Sequence, residues 1–253
     1  MRIALKIAYN GNKFHGFVRQ PNLKTVEGDL LNSLIKHGII EDTKESYYRV
    51  ASRTDKEVSA LCNVVAFNTD VSKKRILEEL SDEHLDIIAY GISEVKPDFN
   101  PRHAKYRQYR YYLPINDLDT KKILSAASCF TGVHDFSNFA RIESFRDPVR
   151  TIDNIVFTFE GDLLVVDFFA QTFLWHQIRR IISALVKVGN NEIEKEQIIE
   201  ALENPEKKID YGLAPAEPLI LKDIVYDFEF EYDEKLLKKA GNLERKIISS
   251  IEV

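Results

Sequence analysis

Strand-like and helix-like segments follow one another in this chain without strict alternation, and this order limits its fold more than any other feature. Alternating apolar and polar residues predict strands over 3–9 and 219–232. Apolar residues at helical spacing predict helices after Thr25, after Ser72 and over 172–188. A doubly wound parallel sheet would require regular alternation. The sequence therefore favours an α+β fold with largely antiparallel, mixed sheets flanked by helices.

The middle of the chain contains further runs rich in β-branched and aromatic residues. Two of them flank the polar segment 53–57, which we therefore expect to be a loop between two strands. Other strands are predicted near 87–92, across 106–113, and within 150–170, where a glycine-containing turn joins two runs. No low-complexity tract or linker divides the chain, so its 253 residues suit one large domain or two modest ones.

Composition excludes several classes of protein. Apolar residues make up 44% and charged residues 30%, as in average globular chains, and no apolar run approaches the roughly 20 residues of a membrane span. The N-terminal segment alternates in polarity, whereas a secretion signal has a continuous apolar stretch. We therefore expect a cytoplasmic protein with no membrane partner.

Cysteine and histidine usage predicts neither a disulfide framework nor a zinc site. Cys62 and Cys129 are the two cysteines, and each lies in an apolar context typical of a protein core. The six histidines include no pair at the i, i+4 spacing of a metalloenzyme helix. The sequence thus indicates no metal site, although it leaves open a site whose ligands are brought together only by folding.

Charge is distributed unevenly along the chain. The net charge is −5, but residues 192–234 hold 14 acidic side chains against four lysines, so the remainder carries +5. The stretch 102–110 contains four cations and two aromatic rings without one carboxylate. A basic face for nucleic acid is therefore available outside the acidic segment.

Asp55 is the first candidate for chemistry, because it lies beside a guanidinium in a loop between strands. Loops carry catalytic residues disproportionately often. Asp is also a routine turn residue, and on this evidence alone a turn-stabilising role for Asp55 is the commoner one. A catalytic role needs support from other segments.

Several separated segments supply that support, because together they resemble the TruA family of tRNA pseudouridine synthases. Residues 9–17 (YNGNKFHGF) are similar to the family's opening YDGxxFxG pattern, and Arg53-Thr-Asp55 is similar to its RTD signature. The other matching segments are 19–21, 25–28, 100–104, 109–111, 132–136, 139–140, 173–180 and 214–219. One such match is weak, but their colinear combination over nearly the whole chain is very specific.

The resemblance implies isomerisation of uridine to pseudouridine in tRNA, typically at positions 38, 39 or 40 of the anticodon arm. No cofactor is implied. The reaction breaks the glycosidic C1′–N1 bond, rotates the detached uracil and joins its C5 to the same sugar carbon. Asp55 matches the catalytic aspartate, which either attacks covalently or removes a sugar proton, and the sequence leaves nucleophile and base both open.

Four other residues match substrate-binding positions of the family, and each has a simpler alternative. Arg179 matches a basic residue that would pair with Asp55 and favour its ionised form, or it anchors the loop. Arg53 would enter the stack as the target base is flipped out, or contact a phosphate. Tyr109 would stack on the extruded uracil, or be an ordinary strand aromatic. Leu219 would pack on the other side of the base, or belong to the core.

The resemblance also implies two similar subdomains, 1–104 with the catalytic loop and 105–253, and an active-site cleft between them. A homodimer in which one tRNA contacts both subunits is the expected assembly. Departures from the family occur at Glu57, where it has glycine, at Ser59, where it has histidine, and at Pro218. Without a glycine, position 57 loses easy access to positive φ, so either the loop is shaped differently or the position never needed it.

Two other functions compete with this interpretation. A catalytically silent tRNA-binding or tRNA-folding protein on the same fold is suggested by the altered Lys56-Glu57 pair, but the intact Asp55 counts against it. A two-carboxylate sugar hydrolase would also cleave a glycosidic bond. Tyr109 in its cationic surroundings favours RNA over a sugar substrate.

Overall fold

The computed structural model describes residues 1–81, 86–249 and 251, which form two compact units. The first unit contains Met1–Lys105 together with the segment from Ile220 onward, and the second contains Tyr106–Leu219. The expected division assigned 105–253 to the second subdomain. The structure has the segment from Ile220 in the first unit instead, because its strand pairs in parallel with a strand of that unit, Ile220 opposite Ser59.

The fold is α+β, with mostly antiparallel strand pairing in each unit, as the sequence predicts. The first unit's strands are β1 (Arg2–Tyr9), β2 (Arg49–Val50), β3 (Ser59–Asn68), β4 (Ile87–Val95), β10 (Leu219–Val225) and β11 (Glu231–Tyr232), and its helices are α1 (Val26–Lys36), α2 (Lys73–Glu79) and α6 (Glu234–Ile248). The strands are ordered β11-β4-β1-β3-β10, with β2 also on β3. Of these pairings, β10 with β3 is parallel and the others are antiparallel.

The strand pairs within the second unit are antiparallel. Its strands are β5 (Tyr106–Pro114), β6 (Gly132–Asp135), β7 (Val149–Ile152), β8 (Asn154–Glu160) and β9 (Leu163–Ala170), and its helices are α3 (Thr120–Ala127), α4 (Gln177–Gly189) and α5 (Lys195–Glu203). β9 pairs with β5 on one side and β8 on the other, while β6 and β7 form a separate hairpin. Gly161 (φ +59°) lies in the turn between β8 and β9, which confirms the turn predicted there.

The C-terminal segment covers one side of the first unit's sheet. Helix α6 packs Leu236 and Ala240 against Ala8 of β1 and Ile88 of β4. Beside this cluster, Lys6 is 9% exposed, and its ammonium lies 4.8 Å from the centre of the Phe230 ring and 3.6 Å from Asp223. Further acidic residues of 192–234 pair with lysines of the first unit, as Glu231 does with Lys73. Part of the acidic segment is thereby neutralised within the unit.

Two predicted elements differ in extent from the observed ones. In place of the one strand predicted over 219–232, the structure has two strands, β10 and β11, separated by residues 226–230. In this segment every second residue is aromatic, and the Tyr226 ring stacks on the Phe228 ring with ring centres 5.3 Å apart. This stack produces the alternating pattern without a continuous strand. The helix predicted from 172 begins at Gln177, because His176 before it has a left-handed backbone (φ +63°).

No helix within the described ranges is both long enough and apolar enough to cross a membrane.

The helix starts predicted after Thr25 and Ser72 are confirmed, since each side chain accepts a hydrogen bond from the first turn of its helix.

The two cysteines differ in burial, which gives a direct check of this packing. Cys62 is 2% exposed, and burial raises the pKa of its thiol to about 12, whereas Cys129 is partly exposed. Only thiolates react with iodoacetamide. We expect native protein at pH 8 to be alkylated at Cys129 and not at Cys62, as read by peptide mass spectrometry, with both labelled after unfolding. Labelling of native Cys62 at the rate of Cys129 would contradict the structure.

Candidate active site

Asp55 lies in the loop between β2 and β3 (residues 51–58, hereafter the Asp55 loop), and this loop is held by a buried polar network. The hydroxyls of Tyr9 and Thr54 are 2.9 Å apart, and Tyr9 is fully buried. The side-chain amide of Asn63 donates to the carbonyl of Ser52 at 2.8 Å and to the Tyr9 hydroxyl at 3.3 Å. Buried polar groups that satisfy one another in this way hold a single geometry. The loop is therefore anchored directly beside Asp55.

The N-terminal motif forms a second support for the Asp55 loop. The amide of Phe17 donates to the carbonyl of Thr54 at 3.1 Å. Gly16 has φ +90°, and a Cβ there would lie 3.3 Å from the amide nitrogen of Lys56. At Gly11, a Cβ would lie 2.4 Å from the backbone carbonyl group at the end of the loop. Both glycines are thus required for the close approach of the two backbones.

Thr54 connects these supports, so removal of its hydroxyl should weaken the first unit. Thr54→Val keeps the side-chain shape but leaves a buried polar partner incompletely satisfied, which costs about 1–3 kcal/mol. We expect that loss in the free energy of unfolding from denaturant titration. Thr151→Val, at an exposed position of β7, is the control and should change stability by less than about 0.5 kcal/mol. Equal effects of the two substitutions would contradict the role of the network.

Position 57 adopts the left-handed backbone conformation that a glycine would favour. Glu57 has φ +71°, so the loop requires positive φ at this position although the residue there is not a glycine. Its carboxylate lies 2.8 Å from the Lys56 ammonium. An exposed pair of this kind contributes little stability. The departure from the family pattern therefore introduces local strain.

A pair of substitutions isolates that strain. Glu57→Gly and Glu57→Ala both remove the carboxylate, but alanine retains the left-handed strain, which costs roughly 1–2 kcal/mol. We expect the free energy of unfolding of Glu57→Gly, measured by denaturant titration, to exceed that of Glu57→Ala by about 1 kcal/mol. Equal stabilities, or a more stable alanine variant, would show that positive φ at this position carries no cost.

In the second unit, Tyr109 and Tyr111 lie two residues apart on β5, so their side chains share one face of the sheet. The Tyr109 ring is half-buried and meets Phe173 edge-on, with ring centres 5.3 Å apart. The Tyr111 hydroxyl donates to the carbonyl of Pro215 at 3.2 Å. Burial raises the pKa of Tyr111, and the nearby positive charge of Arg179 opposes that shift. A cation and an aromatic ring therefore occupy the same face.

The first turn of α4 carries Arg179. Its side chain is held by the segment 214–219, which comes later in the chain, after α5. The Arg179 Nε donates to the carbonyl of Ala214 at 2.8 Å, and the amide of Ala214 donates back to the carbonyl of Arg179 at 3.2 Å. At the end of the same segment, Leu219 is 6% exposed and its amide donates to the carbonyl of Ala216. The guanidinium is thus held by main-chain contacts.

The cations of 102–110 do not all lie on one face. Arg107 is buried, with its guanidinium donating to a main-chain carbonyl. Arg110 makes two hydrogen bonds of 2.9 Å to the carboxylate of Asp167, and these bonds raise the pKa of Arg110. Lys105 pairs with Asp227, and Arg102 lines a cavity of the first unit. The stretch therefore supplies fewer cations to a nucleic-acid surface than its composition indicates.

The five residues proposed from the sequence divide between the two units. Arg53 and Asp55 belong to the Asp55 loop of the first unit, with Arg53 exposed and Asp55 half-buried. Tyr109 and Arg179 belong to the second unit, and so does Leu219, the first residue of β10, whose other residues lie in the first unit. Segment 214–219 connects Arg179 and Leu219. Their functional roles stay predictions.

Sequence reasoning missed the residues that support these side chains. Asn63, Thr54 and the hydroxyl of Tyr9 were not singled out, and neither was Asp167. One signal was available, since Asn63 is a polar residue inside an otherwise apolar strand, and such a residue must find partners when it is buried. Within residues 1–81, 86–249 and 251, no group of three or more His, Cys, Asp or Glu side chains is placed to hold a metal ion.

Comparison with known proteins shows the family. The family model described as tRNA pseudouridine synthase matches residues 126–227. A protein of Thermococcus sibiricus named tRNA pseudouridine synthase A is 47% identical over 95% of this chain and 91% of its own length, and one of the same name from Pyrococcus abyssi is 45% identical over 94% and 90%. The solved structure of a Cbf5-Nop10-Gar1 complex is a distant match, with TM-score 0.37 and 13% identity over 73% of this chain and 45% of that chain.

The family model and the two named relatives define the class of enzyme as a pseudouridine synthase. The extent and identity of the full-length matches show more specifically that this chain belongs to the tRNA pseudouridine synthase A family.

Proposed function

We propose that this chain isomerises uridine to pseudouridine in the anticodon arm of tRNA, at positions 38, 39 and/or 40, with Asp55 as the catalytic nucleophile or base. The observation that carries the proposal is the position of Asp55 in a loop fixed on both sides. Thr54, its immediate neighbour, binds Tyr9 through the hydroxyl and Phe17 through the carbonyl. A carboxylate held in this way can meet a sugar carbon without first being ordered.

The reaction needs little more than that carboxylate. In one route Asp55 attacks C1′ and displaces N1 of the uracil, and in the other it removes a sugar proton to give a glycal-like intermediate. Either way uracil is released, turns and forms a bond from C5 to C1′. This step breaks the ester bond to Asp55 in the first route and returns the removed proton to the sugar in the second. C5 then loses a proton, and N1 ends with one. The product is an isomer of the substrate, so the net reaction consumes no oxidant, reductant or cofactor.

The second unit would hold the base during this turn. Tyr109 offers a flat apolar ring, and its edge contact with Phe173 fixes the ring's orientation. A stacking surface tolerates a base in any rotation about its normal, which suits a uracil that must turn. Arg179, fixed through Ala214, supplies positive charge that favours an ionised carboxylate, and Leu219 supplies apolar surface for the base.

Access to C1′ requires the target nucleotide to leave the helical stack. Arg53 is exposed on the Asp55 loop, two residues before the reacting carboxylate, and would either replace the flipped base or contact a phosphate. We further propose a cytoplasmic homodimer in which one tRNA contacts both subunits.

Asp55→Asn tests the proposal, because it keeps the size and polarity of the side chain but removes its charge and nucleophilicity. Pseudouridine formation in unmodified tRNA, measured by chemical mapping, should fall by at least about a thousandfold. tRNA affinity should be kept within about threefold, because loss of a negative charge does not weaken phosphate binding.

The control is Asp117→Asn, at an exposed position outside the Asp55 loop, which should act like wild type. Wild-type activity in Asp55→Asn would exclude Asp55 as the reacting group. No product from the wild-type protein at saturating concentration would instead favour the catalytically silent tRNA-binding alternative.

A further inference from the structure

A polar cavity lies next to the Asp55 loop within the first unit. It has a volume of about 310 Å³ and is lined by Glu27, Tyr48, Arg49, Val50, Arg53, Asn100 and Arg102. Pockets for organic ligands are mainly apolar. This one presents three guanidinium groups against one carboxylate, so its lining favours an anion.

Two of the three arginines that line this cavity, Arg49 and Arg53, carry the argument for an anion site. Among the residues that the structure describes, neither Arg49 nor Arg53 is paired with a carboxylate. Arg49 also has a second cation near it outside the cavity: burial lowers the pKa of Arg2, and the like charge of Arg49 lowers that pKa further. Glu27, the one acid of the lining, accepts a hydrogen bond from the amide of Arg19 at 3.0 Å.

Tyr48 provides independent evidence for a ligand. Tyr48 is one of the residues that line the cavity and is 7% exposed, yet its buried hydroxyl has no hydrogen-bond partner within the described part of the chain. A buried polar group without a partner costs about 1–3 kcal/mol, so a ligand that accepts a hydrogen bond from this hydroxyl would recover part of that cost. Burial raises the pKa of Tyr48 well above its usual range, so the hydroxyl keeps its proton and can donate.

The cavity wall is also set by the backbone next to Tyr48. The guanidinium of Arg49 donates to the carbonyl of Tyr48 at 2.8 Å, which fixes one of its nitrogens and leaves further N–H groups for a ligand. A planar guanidinium matches the geometry of two phosphate oxygens. Arg53 joins this cavity to the Asp55 loop, because it belongs to both.

We propose that the cavity binds a single backbone phosphodiester of the RNA substrate, through Arg49, Arg53 and Arg102 with the Tyr48 hydroxyl, and so sets the register of the RNA relative to Asp55. The inference rests on the proposed RNA substrate but adds a site separate from base recognition. It also favours the phosphate contact for Arg53 over insertion into the base stack. Phosphate contacts position a nucleic acid without reading its sequence.

The test measures binding of full-length protein to an unmodified tRNA anticodon stem–loop across a range of salt concentrations. Arg49→Gln should weaken binding by about tenfold at 0.1 M salt. It should also reduce the slope of log K against log salt by about 0.7–0.9, the value for one phosphate contact. Tyr48→Phe, which removes only the hydroxyl, should weaken binding by about fivefold with the slope unchanged. Arg75→Gln on α2, an exposed arginine outside the cavity, is the matched control and should alter neither quantity.

A series of stem–loops, each with one neutral methylphosphonate in place of a phosphodiester, identifies the contact. At one position the replacement should weaken wild-type binding by about tenfold and leave Arg49→Gln binding unchanged, since interacting partners are not additive. The proposal is overturned if every replacement weakens both proteins equally, or if Arg49→Gln and Tyr48→Phe both bind like the control. Pseudouridine formation by wild type on intact unmodified tRNA separates the two claims. Product formation together with either overturning result removes the phosphate site alone, whereas absence of product removes the proposed function.

Discussion

A hydrogen bond between two buried hydroxyls, those of Tyr9 and Thr54, determines where the Asp55 loop lies against the first unit's sheet. Neither group can exchange its partner for water without opening the core, so strand β1 and the loop stay in one relative position. Asn63 extends this network to the carbonyl of Ser52, which ties the start of the loop to β3. Because a displacement of about 1 Å in a reacting group can cost roughly a hundredfold in rate, such anchoring is a condition for one-carboxylate chemistry.

The second unit positions its groups in a similar manner, through contacts between side chains and main-chain carbonyls. Arg179 binds the carbonyl of Ala214, and Tyr111 binds that of Pro215, so one short segment holds both helix α4 and strand β5. The side chains proposed to hold the base are therefore fixed by elements of regular structure. Sites built on rigid elements keep their geometry better than sites built on loops alone.

Much of the fold was predictable because local patterns decide it. The α+β class followed from the irregular order of segments, and the caps at Thr25 and Ser72 followed from side chains that bond their own helices. Tertiary effects were not predictable. The aromatic stack of 226–230 imitates strand alternation, and the parallel pairing of β10 joins the C-terminal segment to the first unit.

The site was predictable only in part. Resemblance to a family identifies which residue types recur, and it indicated Asp55, Tyr109 and Arg179. It does not show what supports them, because the partners Thr54, Asn63 and Ala214 are found only by folding. The cavity beside Arg49 was not predictable for the same reason, since its lining comes from three separated parts of the chain, namely Glu27, residues 48–53 and residues 100–102.

A structure of the Asp55→Asn protein bound to a tRNA anticodon stem–loop tests the central claim most directly. The account predicts a uridine at position 38, 39 or 40 turned out of the stack, with C1′ within about 3.5 Å of the side chain at position 55 and the uracil against the Tyr109 ring. A target uridine still stacked in the helix, or a side chain at position 55 directed away from the sugar, would contradict it.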